Sequence, residues 1–364
     1  MKRNHQHFET ALFAVIVLVL GAASQTWGAN YKAIDLNPSG FDLSSAQGVS
    51  GTQQVGYGDN STGGEHALLW NGSAASFVDL NPSGFYGSWA CGISGTQQVG
   101  YGSAVSNPHA LLWSGSAESY VDLNPREFYW SYAYGTNGTQ QVGFGRSIYG
   151  EHALLWSGTA ASYVDLNPTG FFTSTANGIS GTQQVGWGYA PSKGYSDNHA
   201  LLWSGTAASC VDLNPTGFDG SYAQGISGTQ QVGWGSGPAT GDYPYALLWS
   251  GSADSFIDLN PSGFDGSTAM GTNGTQQVGY GSIGGNLHAF LWSGSADSYV
   301  DLNQFLPTGF TDAFANGIDS YGNIVGLAQQ GSSGNYHAIL WQPVPEPATL
   351  FLLGLGAVML RRKR

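Results

Sequence analysis

One unit is written seven times along this chain, and the length of that unit restricts the fold more than any other feature of the sequence. A Gln-Gln-Val-Gly segment recurs with its valine at Val55, Val99, Val142, Val185, Val232 and Val278, and in degenerate form at Val325, in steps of 43 to 47 residues. A His-Ala-Leu-Leu-Trp segment ends at Trp70, Trp113, Trp156, Trp203, Trp249, Trp292 and Trp341. A Val-Asp-Leu-Asn segment centres on Asp79, Asp122, Asp165, Asp212, Asp258 and Asp301, with an early copy at Asp35. An Ala-x-Gly element begins at Ala46, Ala90, Ala133, Ala176, Ala223, Ala269 and Ala315. Such a period belongs to propeller blades or to helical arrays. With 56 glycines and no 3.6-residue apolar pattern, helical arrays are excluded.

Each unit reads as four short strands, carrying in turn Ala-x-Gly, Gln-Gln-Val-Gly-aromatic, His-Ala-Leu-Leu-Trp and Tyr-Val-Asp-Leu-Asn. In the fourth, the period of two places Val164 and Leu166 on one face and Tyr163, Asp165 and Asn167 on the other. Ser-Gly and small residues make the hairpin between the third and fourth strands. Asn-Pro-Ser/Thr-Gly after the fourth is turn chemistry, because proline lacks a donor and glycine is free in φ. The small Ala-x-Gly strand suits a crowded inner edge, where neighbouring backbones come closest.

The order of elements at the ends separates an open array from a closed ring. The repeats begin with an unmatched fourth strand, Tyr31 to Asn37, and end with a unit that has only its first three, Phe314 to Trp341. An open solenoid needs polar capping repeats, and none is visible. The expected fold is therefore all-β: a closed seven-bladed β-propeller of four-stranded blades, in which the N-terminal strand completes the last blade. Around this body, residues 30–342, stand residues 1–29 and 343–364.

Residues 1–29 carry Lys2 and Arg3, an apolar run from Ala11 to Ala23, and then small residues. This is the pattern of a helical signal peptide, with Ala22-x-Ser24 and Thr26-x-Gly28 both acceptable before a cut. At the other end Val344, Pro345, Glu346 and Pro347 precede the apolar run Ala348 to Leu360 and then Arg361, Arg362, Lys363 and Arg364. Thirteen helical residues reach about 20 Å, short of the roughly 30 Å of a bilayer's hydrocarbon core. The basic end holds the tail on the cytoplasmic side. The segment reads as a short apolar helix that pauses in the membrane until something processes it.

That three-part tail resembles the PEP-CTERM sorting signal. The resemblance covers Val344 to Arg364 alone, and it implies recognition and removal by an exosortase, a membrane protease of Gram-negative bacteria that make extracellular polysaccharide. The repeats in turn resemble the HAF-type extracellular repeats, named for a His-Ala-Phe run that is spelled here by His288, Ala289 and Phe290. That likeness runs roughly from Tyr31 to Trp341 and implies no enzymatic role. This chain departs from it in carrying Asp-Leu-Asn-Pro in place of Asp-Leu-Gly, and Tyr245 in place of the histidine.

Between residues 30 and 342 only Lys32, Arg126, Arg146 and Lys193 oppose 21 acidic residues, a net charge of −17. So acidic a body disfavours nucleic acid and anionic membranes, and suits divalent cations, neutral glycans or plain colloidal solubility. Cys91 and Cys210 occupy different places in the repeat, so they are expected to be small apolar fillers rather than a disulfide.

Six histidines, His66, His109, His152, His199, His288 and His337, are distributed one per blade. A metal or acid–base site needs unlike groups that converge, so each histidine is expected to bond within its own blade, His152 to Asp165. The Asp-Leu-Asn aspartates form no calcium loop with three or more ligands in about a dozen residues. The tryptophan ending each third strand is expected in blade-to-blade packing, with an aromatic sugar platform as the functional alternative. The inner strands place Gln47, Cys91, Tyr134, Asn177, Gln224, Met270 and Asn316 between a constant alanine and glycine, a mixture with no matched acid and base.

Individuality lies in the loops between second and third strands, the longest being 189–198 and 236–244 in adjacent blades. Variable loops on a rigid scaffold are where binding usually resides. Tyr189, Tyr195, Asp197, Asp242 and Tyr243 there offer the aromatic faces and carboxylates that suit a sugar. The expectation is a monomeric, non-catalytic protein of the outer surface or extracellular matrix, without cofactor or metal. It meets an exosortase transiently, binds a glycan or another surface protein, and touches the membrane only through its C-terminal segment. The alternative is a propeller hydrolase or lyase acting on extracellular polysaccharide from the central channel.

Overall fold

The computed structural model describes residues 30–60, 64–104, 107–191, 197–331 and 334–344, and within them seven four-stranded antiparallel sheets follow one another around a ring. Blade one runs from the inside outward as β2 (Leu43–Ser50), β3 (Gln53–Asp59), β4 (Glu65–Trp70) and β5 (Val78–Asp79). Blades two to six repeat this order as β6–β9 (87–122), β10–β13 (130–165), β14–β17 (173–212), β18–β21 (220–258) and β22–β25 (266–301). Blade seven has β26 (Phe310–Ile318), β27 (Ile324–Gln330) and β28 (Asn335–Pro343), with β1 (Tyr31–Asp35) as its outermost strand. The expected closure is thus observed. The segments read as a signal peptide and as a C-terminal helix lie outside the described residues.

Every inner strand breaks register at Ala-x-Gly, for example between Ala133 and Gly135, so the middle residue is the extra one of a β-bulge. The glycine follows from crowding. A Cβ on Gly92 would stand 2.7 Å from the Tyr134 carbonyl oxygen, and one on Gly317 3.2 Å from that of Gln47, across the closure between blades seven and one.

The seams between blades are apolar. Trp156 is fully buried against Val99, Ala110, Leu112 and Leu123 of the preceding blade. Trp70 likewise packs on Leu36, Val325, Ala338 and Leu340, so the N-terminal segment supplies part of the closing seam. This burial removes the tryptophans from the sugar-platform alternative, since no ligand can reach a ring with no exposed surface. Their role is packing, worth about 3–5 kcal/mol each by large-to-small substitution.

Polar bonds also stitch the seams, and they explain the Asp-Leu-Asn motif. Ser174 opens the inner strand of blade four; its hydroxyl donates to Asn167 Oδ1 at 2.6 Å and accepts from the Ala153 N–H at 3.0 Å in blade three. Asp165 Oδ1 in turn accepts from the Asn167 N–H at 2.8 Å. That turn corrects the expected fourth strand. It holds only Val164–Asp165, and Val164 is 41% exposed while Leu166 is fully buried. Asp165 ends the ladder by bonding the backbone two residues on, which swings Leu166 into the seam.

At the closure the same stitch crosses nearly the whole chain. Ala338 donates to Ser44 Oγ at 3.0 Å, Ser44 donates to Asn37 Oδ1 at 2.6 Å, and the Leu36 N–H donates to the Ala338 carbonyl at 2.8 Å. Between blades six and seven the serine's place is taken by the buried Ala313, and Asn303 Oδ1 accepts directly from the Ala289 N–H at 2.9 Å.

Candidate functional site

The register gives the ring two faces. One, called upper here, carries the loops between second and third strands and the Asp-Leu-Asn turns; the lower carries the Gln-Gln-Val-Gly turns and the ends of the third strands. On the upper face each histidine meets an aspartate of the same blade through Nδ1. The pairs are His66–Asp79, His109–Asp122, His152–Asp165, His199–Asp212, His288–Asp301 and, across the closure, His337–Asp35, all at 2.7–2.9 Å. The hydrogen bond to Asp122 raises the His109 pKa. In blade five Tyr245 replaces the histidine, and burial pushes the Asp258 carboxyl up. These pairs pin the outer turn of each blade and are spread around the ring.

The functional geometry lies in the channel. Gln47, Cys91, Tyr134, Asn177, Gln224, Met270 and Asn316, the bulged residues of the inner strands, come together as its waist. Asn177 and Asn316 each donate to the next blade's inner alanine carbonyl, of Ala223 and Ala46, at 2.9 Å. Below the waist the wall is aliphatic, with Val49, Ile93, Ile179, Ile226 and Ile318.

Above it opens a cavity of about 540 Å³. The residue after Gln-Gln-Val-Gly is Tyr57, Tyr101, Phe144, Trp187, Trp234 and Tyr280, with Leu327 in blade seven, and of these Tyr57, Tyr101, Phe144 and Trp187 line the cavity. Inner-strand rings interleave with them. Trp89 stacks on Tyr101 at 4.9 Å between centroids, Tyr132 on Phe144 at 5.0 Å, and Tyr222 on Trp234 at 4.3 Å. Tyr101 also meets Tyr132 edge-on at 4.4 Å, which joins blades two and three into one aromatic wall. All these rings are half-buried.

Polar groups on the rim hold the rings in place. Glu65 accepts from Trp89 Nε1 at 2.9 Å, and Asn198 Nδ2 donates to Tyr222 Oη at 2.8 Å. Glu151 lines the cavity and pairs with Arg146 at 3.1 Å. Burial raises the Tyr101 and Tyr134 hydroxyls far above the ordinary tyrosine range and pushes the Cys91 thiol up to about 12. At neutral pH these groups stay protonated, able to donate hydrogen bonds but not to act as bases. Cys91 and Cys210 are in different blades, and neither takes part in a disulfide.

Of the loop residues singled out in the sequence, Asp197 approaches the mouth, its Oδ1 lying 3.4 Å from Tyr222 Oη. Tyr189 ends β15 (Gln183–Tyr189), and Tyr195 lies outside the described residues. Asp242, at φ 69°, donates its N–H to the Gly237 carbonyl at 3.0 Å, and Tyr243 beside it is 60% exposed. The funnel itself was missed in the sequence, although an aromatic after every Gln-Gln-Val-Gly signalled it. A second pattern was missed with it. The residue after the phenylalanine that follows each Asp-Leu-Asn turn is an exposed Tyr86, Tyr129 or Phe172 at the start of blades two to four. It is an exposed Asp42, Asp219 or Asp265 at the start of blades one, five and six.

Residues 343–364 match the PEP-CTERM protein-sorting motif. Of its residues Val344 is described, its N–H donating to the Asn30 carbonyl at 2.8 Å; Pro345, Glu346, Pro347 and Arg361 to Arg364 lie outside the described residues. No curated protein matches the chain in sequence. Among solved structures, the β-propeller domain of the Trilobed protease from Pyrococcus furiosus, described as having an open velcro topology, aligns with a TM-score of 0.56 at 9% identity, over 83% of this chain and 94% of that one. An oligogalacturonate lyase in complex with manganese aligns with a TM-score of 0.52 at 11% identity, over 88% and 95%. TolB from Acinetobacter baumannii aligns with a TM-score of 0.50 at 9% identity, over 85% and 68%. At such identities the likeness is one of fold. Fold and tail together define an exported β-propeller. Its sorting motif marks it for recognition by an exosortase and for transient anchoring at the membrane.

Proposed function

We propose that this chain is a non-catalytic glycan-binding protein of the outer surface or extracellular matrix of a Gram-negative bacterium. It is released from its membrane anchor by an exosortase, and its propeller is built of HAF-type repeats. The observation that carries the binding reading is the aromatic funnel. Half-buried aromatic rings lining a 540 Å³ cavity match the apolar C–H faces of pyranose rings, and the amides of Gln47, Asn177, Gln224 and Asn316 match sugar hydroxyls. The titratable groups that line the mouth are tyrosines and a thiol held protonated, together with Glu151 paired to Arg146 and, on the rim, Glu65 and Asp197 bonded to Trp89 and Tyr222. That set favours holding a chain over cleaving it.

Titration of the full chain with a panel of oligosaccharides, followed by tryptophan fluorescence and calorimetry, tests the reading. Binding is expected, and Trp89→Ala and Trp187→Ala should each weaken it about tenfold, the loss of roughly 1.4 kcal/mol from a central aromatic contact. Binding indifferent to both changes would remove the funnel from the reading. Newly formed reducing ends or unsaturated products would replace it with the hydrolase or lyase.

The sorting half has its own test. Intact-mass measurement on the surface fraction of the native host should find a protein that has lost Arg361 to Arg364. Finding them still attached would make the tail a permanent anchor.

A further inference from the structure

The charge around the funnel specifies the kind of glycan. All seven Asp-Leu-Asn aspartates stand on the upper face, and so do Glu65 and Glu151 at the rim and Asp42, Asp219 and Asp265 between blades. Among the described residues Arg126 and Arg146 are the lysine or arginine side chains on this face, beside the six histidines that each bond an Asp-Leu-Asn aspartate; Arg146 is paired with Glu151 and lies 5.9 Å from the centre of the Trp130 ring. A field of one sign over a low-dielectric cleft concentrates ligands of the opposite charge. Ring faces add to this, because an aromatic quadrupole attracts a cation set over it. The waist amides supply carbonyl oxygens, acceptors for an ammonium group. A uronic-acid chain meets the reverse on each count.

Resting on the reading of the funnel as a glycan site, we propose that its preferred ligand is cationic: a glycan whose sugars carry free amino groups, taken in preference to the N-acetylated form and against acidic polysaccharide. The funnel supplies stacking and the upper face supplies the selection.

The test compares three ligands of equal length on the full chain, kept soluble in a polyoxyethylene detergent: a glucosamine oligomer, its N-acetylated counterpart and a galacturonate oligomer. The pH is held at about 7, where carboxylates with ordinary values near 4 are ionised and imidazoles with ordinary values near 6.5 are mostly neutral. The glucosamine oligomer should bind at least tenfold more tightly than the N-acetylated one. About 1 M salt should erase the difference as the Debye length falls to roughly 3 Å. The double change Glu65→Gln, Glu151→Gln should narrow the preference, and Trp187→Ala should weaken both ligands together.

Equal binding of the two glucosamine forms would overturn the cation preference and leave the glycan site standing. Tighter binding of the galacturonate oligomer would overturn it as well. Affinity for the glucosamine oligomer that survives Trp89→Ala and Trp187→Ala unchanged would place the attraction on the outer surface rather than in the funnel, which also overturns the proposal. Failure of all three ligands to bind would sink the glycan reading itself.

Discussion

A chain lacking residues 30–38 is expected to lose its single cooperative unfolding transition and to elute from size exclusion as aggregate. Three contributions vanish together. Leu36, fully buried in the closing seam with Trp70 and Leu340, is by itself worth about 2–5 kcal/mol. The stitch from Ala338 through Ser44 to Asn37 is cut, and His337 loses Asp35 at 2.9 Å. The outer edge of β28 is then left unpaired, a template for other chains. Against a total stability of roughly 5–15 kcal/mol these losses leave little.

Two further variants make the cause legible. Leu36→Ala alone should lower the denaturation midpoint yet leave a monomeric, cooperative protein. Moving residues 31–38 to follow residue 343, through a copy of the 293–299 turn, should restore the parent's melting behaviour. If the shortened chain melts like the parent, β1 does not close the ring.

Gly143→Ala, like the same change at the matching glycine of the other blades, should be among the most damaging single substitutions of its size. A Cβ at Gly143 would collide with the carbonyl oxygen of Tyr132, which cannot withdraw. Tyr132 pairs with Phe144 in the ladder, its ring stacks on that of Phe144, and the bulge at Tyr134 follows at once. The cost should exceed about 4 kcal/mol, the range reached only when a backbone or core is forced apart. Gly158→Ala is the matched control: its φ of 85° is left-handed, but nothing lies within 4 Å of the new methyl. It should cost only the roughly 1–2 kcal/mol of that conformation. Urea midpoints of the two variants decide the matter, and comparable losses would mean that the inner strand can yield.

The architecture was legible because it follows from order alone. A spare fourth strand at one end and a missing one at the other require a ring, whatever the side chains do. The His–Asp pairs were legible for a similar reason, since both residues recur at one spacing in each unit. The funnel was hidden by parity. Val55 and Tyr57 lie two apart on one strand, so alternation assigns both to the same seam. Burial separates them, with Val55 sealed in the core and Tyr57 lining the cavity at the mouth. The third-strand tryptophans were legible as blade-to-blade packing, and all seven are fully buried. The fourth strand was overextended because Asp165 bonds its own backbone, a local choice that period-two counting does not register.

The placing of β1 outside β28 has a mechanical consequence. The sorting tail follows directly from β28, so any tether made through the C-terminus pulls on that strand. Had the ring closed with a C-terminal fourth strand, the tether would end in an outermost strand with one neighbour, which peels bond by bond. Here the loaded strand is clasped by β27 on one side and β1 on the other. A force applied at the C-terminus would therefore be resisted by two ladders at once, and survival under load would be governed by the rate at which both give way together.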